Sequence, residues 1–291
     1  MVSLAEKRHQ HVDDPLTAGR ELVHVPTTEK AMAPDDDPRL GDVDEWGRSE
    51  RMRGLVRRAF DPVYRHYFRA EWEGLEHIPT DGGALLVANH AGAVPSDAPV
   101  IMHGIETELG RPVYGLADNF FRKIPVVGTL WSRAGGLPAH PDNAYRLLNG
   151  QGQLVLVFPE GVKGTSKTIA NRYKLARFGR GGFVEIAMRA VAVMGNEEAN
   201  PILWRLPGAK MLGVPYLPVT PQSLVLGPLG TLVPLPAKFK LRVLPPVTFD
   251  VPPSQHRYSR TRIMDGSQEI QGKIQEALYE MAAERRNWWG G

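Results

Sequence analysis

Residues 153–161 read Gln-Leu-Val-Leu-Val-Phe-Pro-Glu-Gly, and this stretch decides the fold class. Leu154 to Phe158 are continuously apolar, and Pro-Glu-Gly then turns the chain. A short apolar run without alternation marks a strand buried on both faces, because a strand with one wet face alternates. The same signature recurs at 83–90 (GALLVANH), 113–118 (VYGLAD) and 190–195 (AVAVMG), with helical stretches fitting between, at 142–149 and 181–190. The alternation predicts an α/β domain, a mixed, mostly parallel sheet flanked by helices. In such sheets function gathers where strands end in loops.

Outward from this centre the chain changes character. Residues 1–45 combine Pro, Asp and short polar stretches without a sustained period, which predicts a poorly ordered tail ahead of a domain over 46–291. Residues 46–72 form an amphipathic basic-aromatic segment, with Phe60, Tyr64, Tyr67 and Phe68 at near-helical spacing among Arg57, Arg58, Arg65 and Arg69. Pro62 is expected to break or restart its helix. Two readings stand side by side: a segment lying at a lipid headgroup layer, or an ordinary helix packed on the domain. Residues 199–253, rich in Pro and Gly, suggest extra strands. Residues 265–289 predict a C-terminal helix capped by Asp265 or Ser267, with Ile270, Ile274, Ala277, Leu278 and Met281 as its core stripe.

Composition narrows the chemistry. The chain has no cysteine, which excludes disulfides, thiolate zinc sites and a cysteine nucleophile. No His-Glu-x-x-His occurs, so no metal is expected. No apolar leader opens the chain and no run reaches the ~18 residues of a spanning helix. A cytoplasmic protein, peripheral on the inner face of the membrane, is expected. Residues 1–50 carry 12 acidic and 6 basic residues, net −6; the whole chain is +3, so the remainder carries +9. A basic body suits phosphate-bearing substrates or anionic lipid, and serves solubility equally well. Its basic residues are scattered, without a nucleic-acid reading module, so nucleic acid is not expected.

Two strand ends carry the candidate chemistry. The first is Asn89-His90-Ala-Gly-Ala-Val-Pro-Ser-Asp97. Gly92 and Pro95 can bend the loop so that Asp97 reaches the imidazole and sets its tautomer, leaving the other nitrogen to take a proton from a hydroxyl. Alternatively, Asp97 caps the helix that begins there and His90 is a satisfied loop histidine. The second is Phe158-Pro159-Glu160-Gly161, continuing into Val-Lys-Gly-Thr-Ser-Lys. Glycine N–H groups with Lys163 and Lys167 suit an anion. The spacing fails the P-loop template, which excludes that NTPase class. The plain reading of Glu160 is a turn residue paired with a lysine.

Together the two motifs, some 60 residues apart, resemble the glycerolipid (lysophosphatidate-like) acyltransferase family over about residues 70–195, with a weaker continuation to about 250. Asn89, His90 and Asp97 match its first motif in a longer branch with six residues between His and Asp. Phe158 to Gly161 match its third, with Val162 and Lys163 where Thr-Arg is usual. The middle motif falls on 134–141, where His140 stands in the rough position of the family's arginine. The family's Val-Pro-x-x-Pro-Val string is absent ahead of Ala190, which predicts a shortened strand there; a similar string lies at 214–219.

The resemblance implies an O-acyltransferase moving a fatty acyl group from acyl-CoA or acyl carrier protein to a glycerolipid hydroxyl, on a lysophospholipid or glycerol phosphate. His90 and Asp97 would be catalytic, and Asn89, Glu160, Gly161, Lys163 and His140 would meet the substrate. No cofactor is implied beyond the acyl donor. A neutral alcohol such as diacylglycerol is the alternative acceptor, and a catalytically silent lipid-binding protein the alternative outside enzymes.

Overall fold

In the computed structural model the described residues are 41–117, 126–178, 188–207, 216–247, 259–287 and 289–290. The expected tail up to residue 40, the first part of the helix expected at 181–190, and Trp288 lie outside them. The elements run α1 (Glu50–Pro62), a π-helical turn (Val63–Tyr67), β1 (Glu71–Glu73), β2 (Ala84–Ala88), α2 (Asp97–Leu109), β3 (Val113–Ala117), α3 (Val127–Arg133), β4 (Gly136–Pro138) and α4 (Pro141–Tyr145). A second π-turn (Arg146–Gly150) leads to β5 (Leu154–Val157), α5 (Val162–Thr165), β6 (Met188–Met194), α6 (Asn196–Ala199), β7 (Trp204–Leu206), β8 (Leu217–Val219), α7 (Pro221–Leu226), a 3-10 turn (Pro228–Leu232), β9 (Lys240–Val243) and α8 (Arg260–Glu284).

Seven strands form one sheet in the order β1-β9-β6-β2-β5-β3-β4. Every neighbouring pair is parallel except β6 with β9, so the sheet is mixed and mostly parallel, as the apolar runs require. Alternate residues of the central strands feed two cores. Leu86, Ala88, Leu154, Leu156, Val191 and Val193 join α2 and the end of α1 on one face. Leu85, Val87, Val155, Ala190, Ala192 and Met194 meet α8 on the other. Burial on both faces explains why these strands read as unbroken apolar runs.

Several expectations are corrected. The body begins at Asp42, ahead of 46, because two acidic side chains brace its entry. Asp42 accepts from the Arg51 N–H (3.0 Å), and Asp44 accepts from the N–H of Arg48 (2.8 Å) and the hydroxyl of Tyr114 (2.5 Å). The C-terminal helix starts at Arg260 behind a Ser259 cap and ends at Glu284. Gly266 and Ser267 are buried inside it, while the expected stripe does face the core. Pro62 closes α1 at its last residue without separating it from the π-helical turn beyond, because the Phe68 N–H pairs with the Val63 carbonyl five residues back (2.8 Å). The strand expected to be short, β6, spans seven residues, more than any other described strand, because it lies between β2 and β9 and is buried on both faces. The later Val-Pro string leads into β8, which pairs with β7 outside the main sheet.

Of the two readings of 46–72, packing on the domain holds for Phe60, Tyr64, Phe68 and Trp72, while Tyr67 is 37% exposed. Tyr64 and Phe68 are buried, Phe60 and Trp72 pack against the same core, and the Trp72 N–H donates to the Tyr64 hydroxyl (2.7 Å). Arg48 and Arg53 also turn inward and share the buried carboxylate of Glu106 on α2.

Candidate active site

The site is built where β2, β5 and β6 end side by side. Asn89, one residue past β2, spends its whole amide on β6: its N–H2 donates to the Val193 carbonyl (2.8 Å) and its oxygen accepts from the Val193 N–H (2.7 Å). That clasp fixes where the chain leaves the sheet. Next, the His90 ring lies against Phe158 at the end of β5, 4.2 Å between centroids and 22° from coplanar.

The loop then returns. Gly92 takes φ +75°, which a side chain resists, and a Cβ there would sit 2.6 Å from the Asn196 carbonyl. Asp97 opens α2 and is buried. Its Oδ2 accepts from His90 Nδ1 (2.8 Å) and the Ala91 N–H (3.1 Å), and its Oδ1 from the Ala98 N–H (2.9 Å). The helix N-terminus favours the carboxylate. Helix opening and imidazole partner, posed as alternatives, are therefore one arrangement. With Nδ1–H held by Asp97, the lone pair falls on Nε2, which has no hydrogen-bond partner among the described residues.

The Phe-Pro-Glu-Gly turn locks this from behind. Glu160 is 3% exposed; its Oε1 accepts from the His90 N–H (2.9 Å), and its Oε2 from the Ala176 N–H (2.6 Å). Lys167 lies 3.4 Å from Glu160 and 3.4 Å from Glu197. The Gly161 N–H donates to the Phe158 carbonyl (3.0 Å). Gly164 of α5 abuts His90 so closely that a Cβ would lie 2.6 Å from its carbonyl oxygen.

A third strand end completes the wall. After β6, Asn196 donates to the Ala91 and Val94 carbonyls, and Asn200 donates to the Ser96 hydroxyl (3.2 Å), so both prop the His90–Asp97 loop. Glu197 and Glu198 are buried beside them. Burial pushes the Glu197 carboxyl up to about 7, against the opposing pull of Lys167 and with a further push from Glu198. Glu198 accepts from the Tyr173 hydroxyl and pairs with Arg285 (3.4 Å).

Beside α5 lies a cavity of about 420 Å³, lined by Val162, Lys163, Ser166, Arg205, Leu206, Pro207 and Tyr216. α5 therefore presents Gly164 to His90 and Lys163 to the cavity. Among the described residues no group of three or more His, Asp or Glu is placed to hold a metal ion.

The model of the Acyltransferase family matches residues 69–221, which holds all three strand ends. The chain belongs to the acyltransferase family.

Relatives of this acyltransferase include an uncharacterized protein of Mycobacterium tuberculosis, 37% identical over 265 residues that span 86% of this chain and 72% of the relative. One from Mycobacterium leprae is 37% identical, with 86% and 70% covered. Over 120 residues it is 32% identical to a Homo sapiens protein named "DGAT1/2-independent enzyme synthesizing storage lipids", covering 41% of this chain and 36% of that one. The solved 1-acyl-sn-glycerophosphate (LPA) acyltransferase PlsC of Thermotoga maritima matches at a TM-score of 0.48 with 18% identity, over 80% of this chain and 83% of that chain.

In the acyltransferase, His90, Asp97, Asn89, Glu160 and Gly161 come together, with Lys163 on α5 lining the cavity beside them. Asn89 and Glu160 stand inside the wall with their polar atoms engaged, rather than facing an acceptor. His140 does not join them. It lies just past β4, three strands from β2 and hence roughly 14 Å across the sheet, where its Nδ1 accepts from the Asp142 N–H (3.2 Å) at the start of α4. Asn196, Asn200, Glu197 and Arg205 were not singled out from sequence. The string Asn196-Glu-Glu-Ala-Asn200 directly after a buried strand repeats the signature of the other two strand ends and was the available signal.

Proposed function

We propose that the acyltransferase moves a fatty acyl group from acyl-CoA or acyl carrier protein to a glycerolipid hydroxyl, on a lysophospholipid or glycerol phosphate, with His90 as general base. The observation that carries this reading is the His90 Nδ1–Asp97 contact of 2.8 Å, with Nε2 unpartnered among the described residues. The acceptor O–H gives its proton to Nε2 while its oxygen attacks the thioester carbonyl. The C–S bond then breaks, and the imidazolium returns the proton to the departing sulfur. The buried Asp97 carboxylate stabilises the imidazolium between these steps. Lys163 and Arg205 are suited to an acceptor phosphate, and Asn89, Glu160 and Gly161 act by holding His90 in place. The enzyme would work on the inner membrane surface that supplies its acceptor.

A second reading is a neutral alcohol such as diacylglycerol as acceptor. The storage-lipid relative and the absence of an arginine at 134–141 favour it.

The test is labelled long-chain acyl-CoA with the chain or His90→Ala, against lysophosphatidate, glycerol 3-phosphate, lysophosphatidylcholine and diacylglycerol. His90-dependent CoA release with one acceptor upholds the reading and names the acceptor. No turnover with any acceptor, while the protein still binds lipid, sinks it and favours a catalytically silent lipid-binding role.

A further inference from the structure

Among the described residues exposed apolar side chains are densest over 224–233, with a smaller group around the start of α3 at Val126, Val127 and Leu130. Val225 is 82% exposed, Leu229 76%, Leu232 64% and Leu224 62%. Trp204 and Leu206, on the β7–β8 ribbon that leads into α7, add to them. Residues 216–237 contain no charged side chain at all. Exposed apolar surface of this extent in a monomer marks a docking surface.

The run is not slack. Thr220 and Ser223 form a capping box at the start of α7. Gln222 is buried and donates to the Ala199 and Val233 carbonyls (3.0 and 3.1 Å). The Leu235 N–H donates to Ala199 (2.7 Å), and the Tyr67 hydroxyl to the Pro234 carbonyl (2.7 Å). The root is pinned while the tip points away from the core.

Positive charge borders it. Arg69 donates to the Pro236 carbonyl (2.7 Å), Arg205 lies on β7, and Lys163 shares the cavity with Leu206 and Tyr216. Among the described residues none of these three pairs with a carboxylate, whereas Lys238 is offset by Glu71 (2.7 Å). An uncharged apolar tip above a collar of one sign fits hydrocarbon below anionic headgroups. It fits a second copy of the chain poorly, because a two-fold contact would face like charges together.

We infer that the hairpin spanning α7 and the 3-10 turn inserts into one leaflet of an anionic bilayer, with Arg69, Arg205 and Lys163 at the headgroup phosphates. This rests on the membrane-surface reading above and relocates its apolar contact from 57–72, where Tyr64 and Phe68 are buried and Tyr67 gives its hydroxyl to Pro234. It also sets the cavity next to the layer that holds a lipid acceptor.

The test is co-sedimentation of the full chain with phosphatidylcholine vesicles, with and without phosphatidylglycerol. The chain binds the anionic vesicles, and salt weakens binding. Val225→Asp with Leu229→Asp lowers the affinity by roughly 100-fold, leaving CoA release with a water-dissolved short-chain acceptor unchanged. Tyr145→Asp, at a residue 64% exposed on α4, changes neither. Unaltered vesicle binding by the double variant overturns the proposal, as does a dimer that it dissociates at constant lipid affinity. If the double variant misfolds, Val225→Trp decides instead: quenching by lipids brominated on the acyl chain beyond that of the unaltered chain, which has six tryptophans, upholds insertion, and no added quenching refutes it. Binding is read without turnover, so failure of the enzyme reading is seen separately.

Discussion

The wall behind His90 and the hairpin over 221–232 invert each other. In the wall, polar groups are buried: Asp97 is 1% exposed, Glu160 3% and Asn200 0%. In the hairpin, large apolar side chains are in water. Both depart from the usual sorting of residues, and each departure is tolerated for a different reason. The wall's groups largely satisfy one another, Asn89 with Val193 and Glu160 with His90 and Ala176, so their desolvation is offset and their positions are fixed. The hairpin's exposed apolar side chains, Val225 and Leu229 above all, stand in water, while its root is tied down by the Gln222 side chain and by backbone hydrogen bonds. A function that needs geometry is held by buried hydrogen bonds; one that needs a surface leaves its apolar area uncovered.

Substitutions in the two places should behave oppositely, and the largest effect belongs to the wall. Asp97→Asn removes the charge that holds Nδ1–H of His90 and stabilises the imidazolium. CoA release is expected to fall about 10²–10⁴-fold, with the far-UV circular dichroism unchanged. Activity within a few-fold of the unaltered chain would mean that the buried polar pair is only architecture.

Glu197 tests the energetic side of the wall. Its carboxyl is raised from 4.5 to about 7 by burial. Between those values the folded chain keeps a proton that the unfolded chain has lost, so stability falls as pH rises through this window and is level above it. Glu197→Gln removes this titration. Urea midpoints across the window should flatten, a change of up to roughly 3 kcal/mol. An unchanged slope would show that Lys167 compensates Glu197 fully.

Gly164→Ala is smaller and sharper. Its Cβ would meet the His90 carbonyl oxygen at 2.6 Å and the His90 Cβ at 2.8 Å, so His90 or α5 must shift. A loss of about 1–3 kcal/mol in stability should accompany at least a ~10-fold loss of turnover. A loss of stability with full turnover would separate the packing of α5 from the placement of His90.

The smallest effect is predicted where sequence hydrophobicity alone would place a large one. Leu229→Ser, at a residue 76% exposed, should leave stability within about 0.5 kcal/mol. A thermal-melting loss well beyond that would mean the hairpin packs like core and would dissolve the contrast.

Much of the fold was legible along the chain. The runs at 83–90, 113–118, 153–161 and 190–195 hold β2, β3, β5 and the greater part of β6, because a strand buried on both faces has nothing polar to alternate with. The stripe on α8 was readable because helical spacing survives even when the cap is misplaced, and Ser259 caps that helix six residues before Asp265. The arginine-aromatic stretch was legible as a helix but not as to its destination. Spacing alone does not say whether an apolar face meets lipid or protein, and only the neighbouring core shows Tyr64 and Phe68 enclosed.

The same division runs through the site. His90, Asp97 and Glu160 stand out in one dimension because a polar residue at the end of an apolar run is conspicuous, and such residues are brought together whenever strands are parallel and adjacent. Strand order is not written locally. That β6 lies beside β2, putting Asn196 and Asn200 under the His90 loop, results from pairing across about a hundred residues. So does the isolation of His140, which falls in the middle motif at 134–141 and is carried three strands away by β3 and β4. Residue type and local period thus settle which groups are capable of the chemistry. Which of them meet, which are used up inside the wall, and which apolar segment faces outward are settled by long-range strand order and burial, because distance in space and access to water are properties of the packed chain.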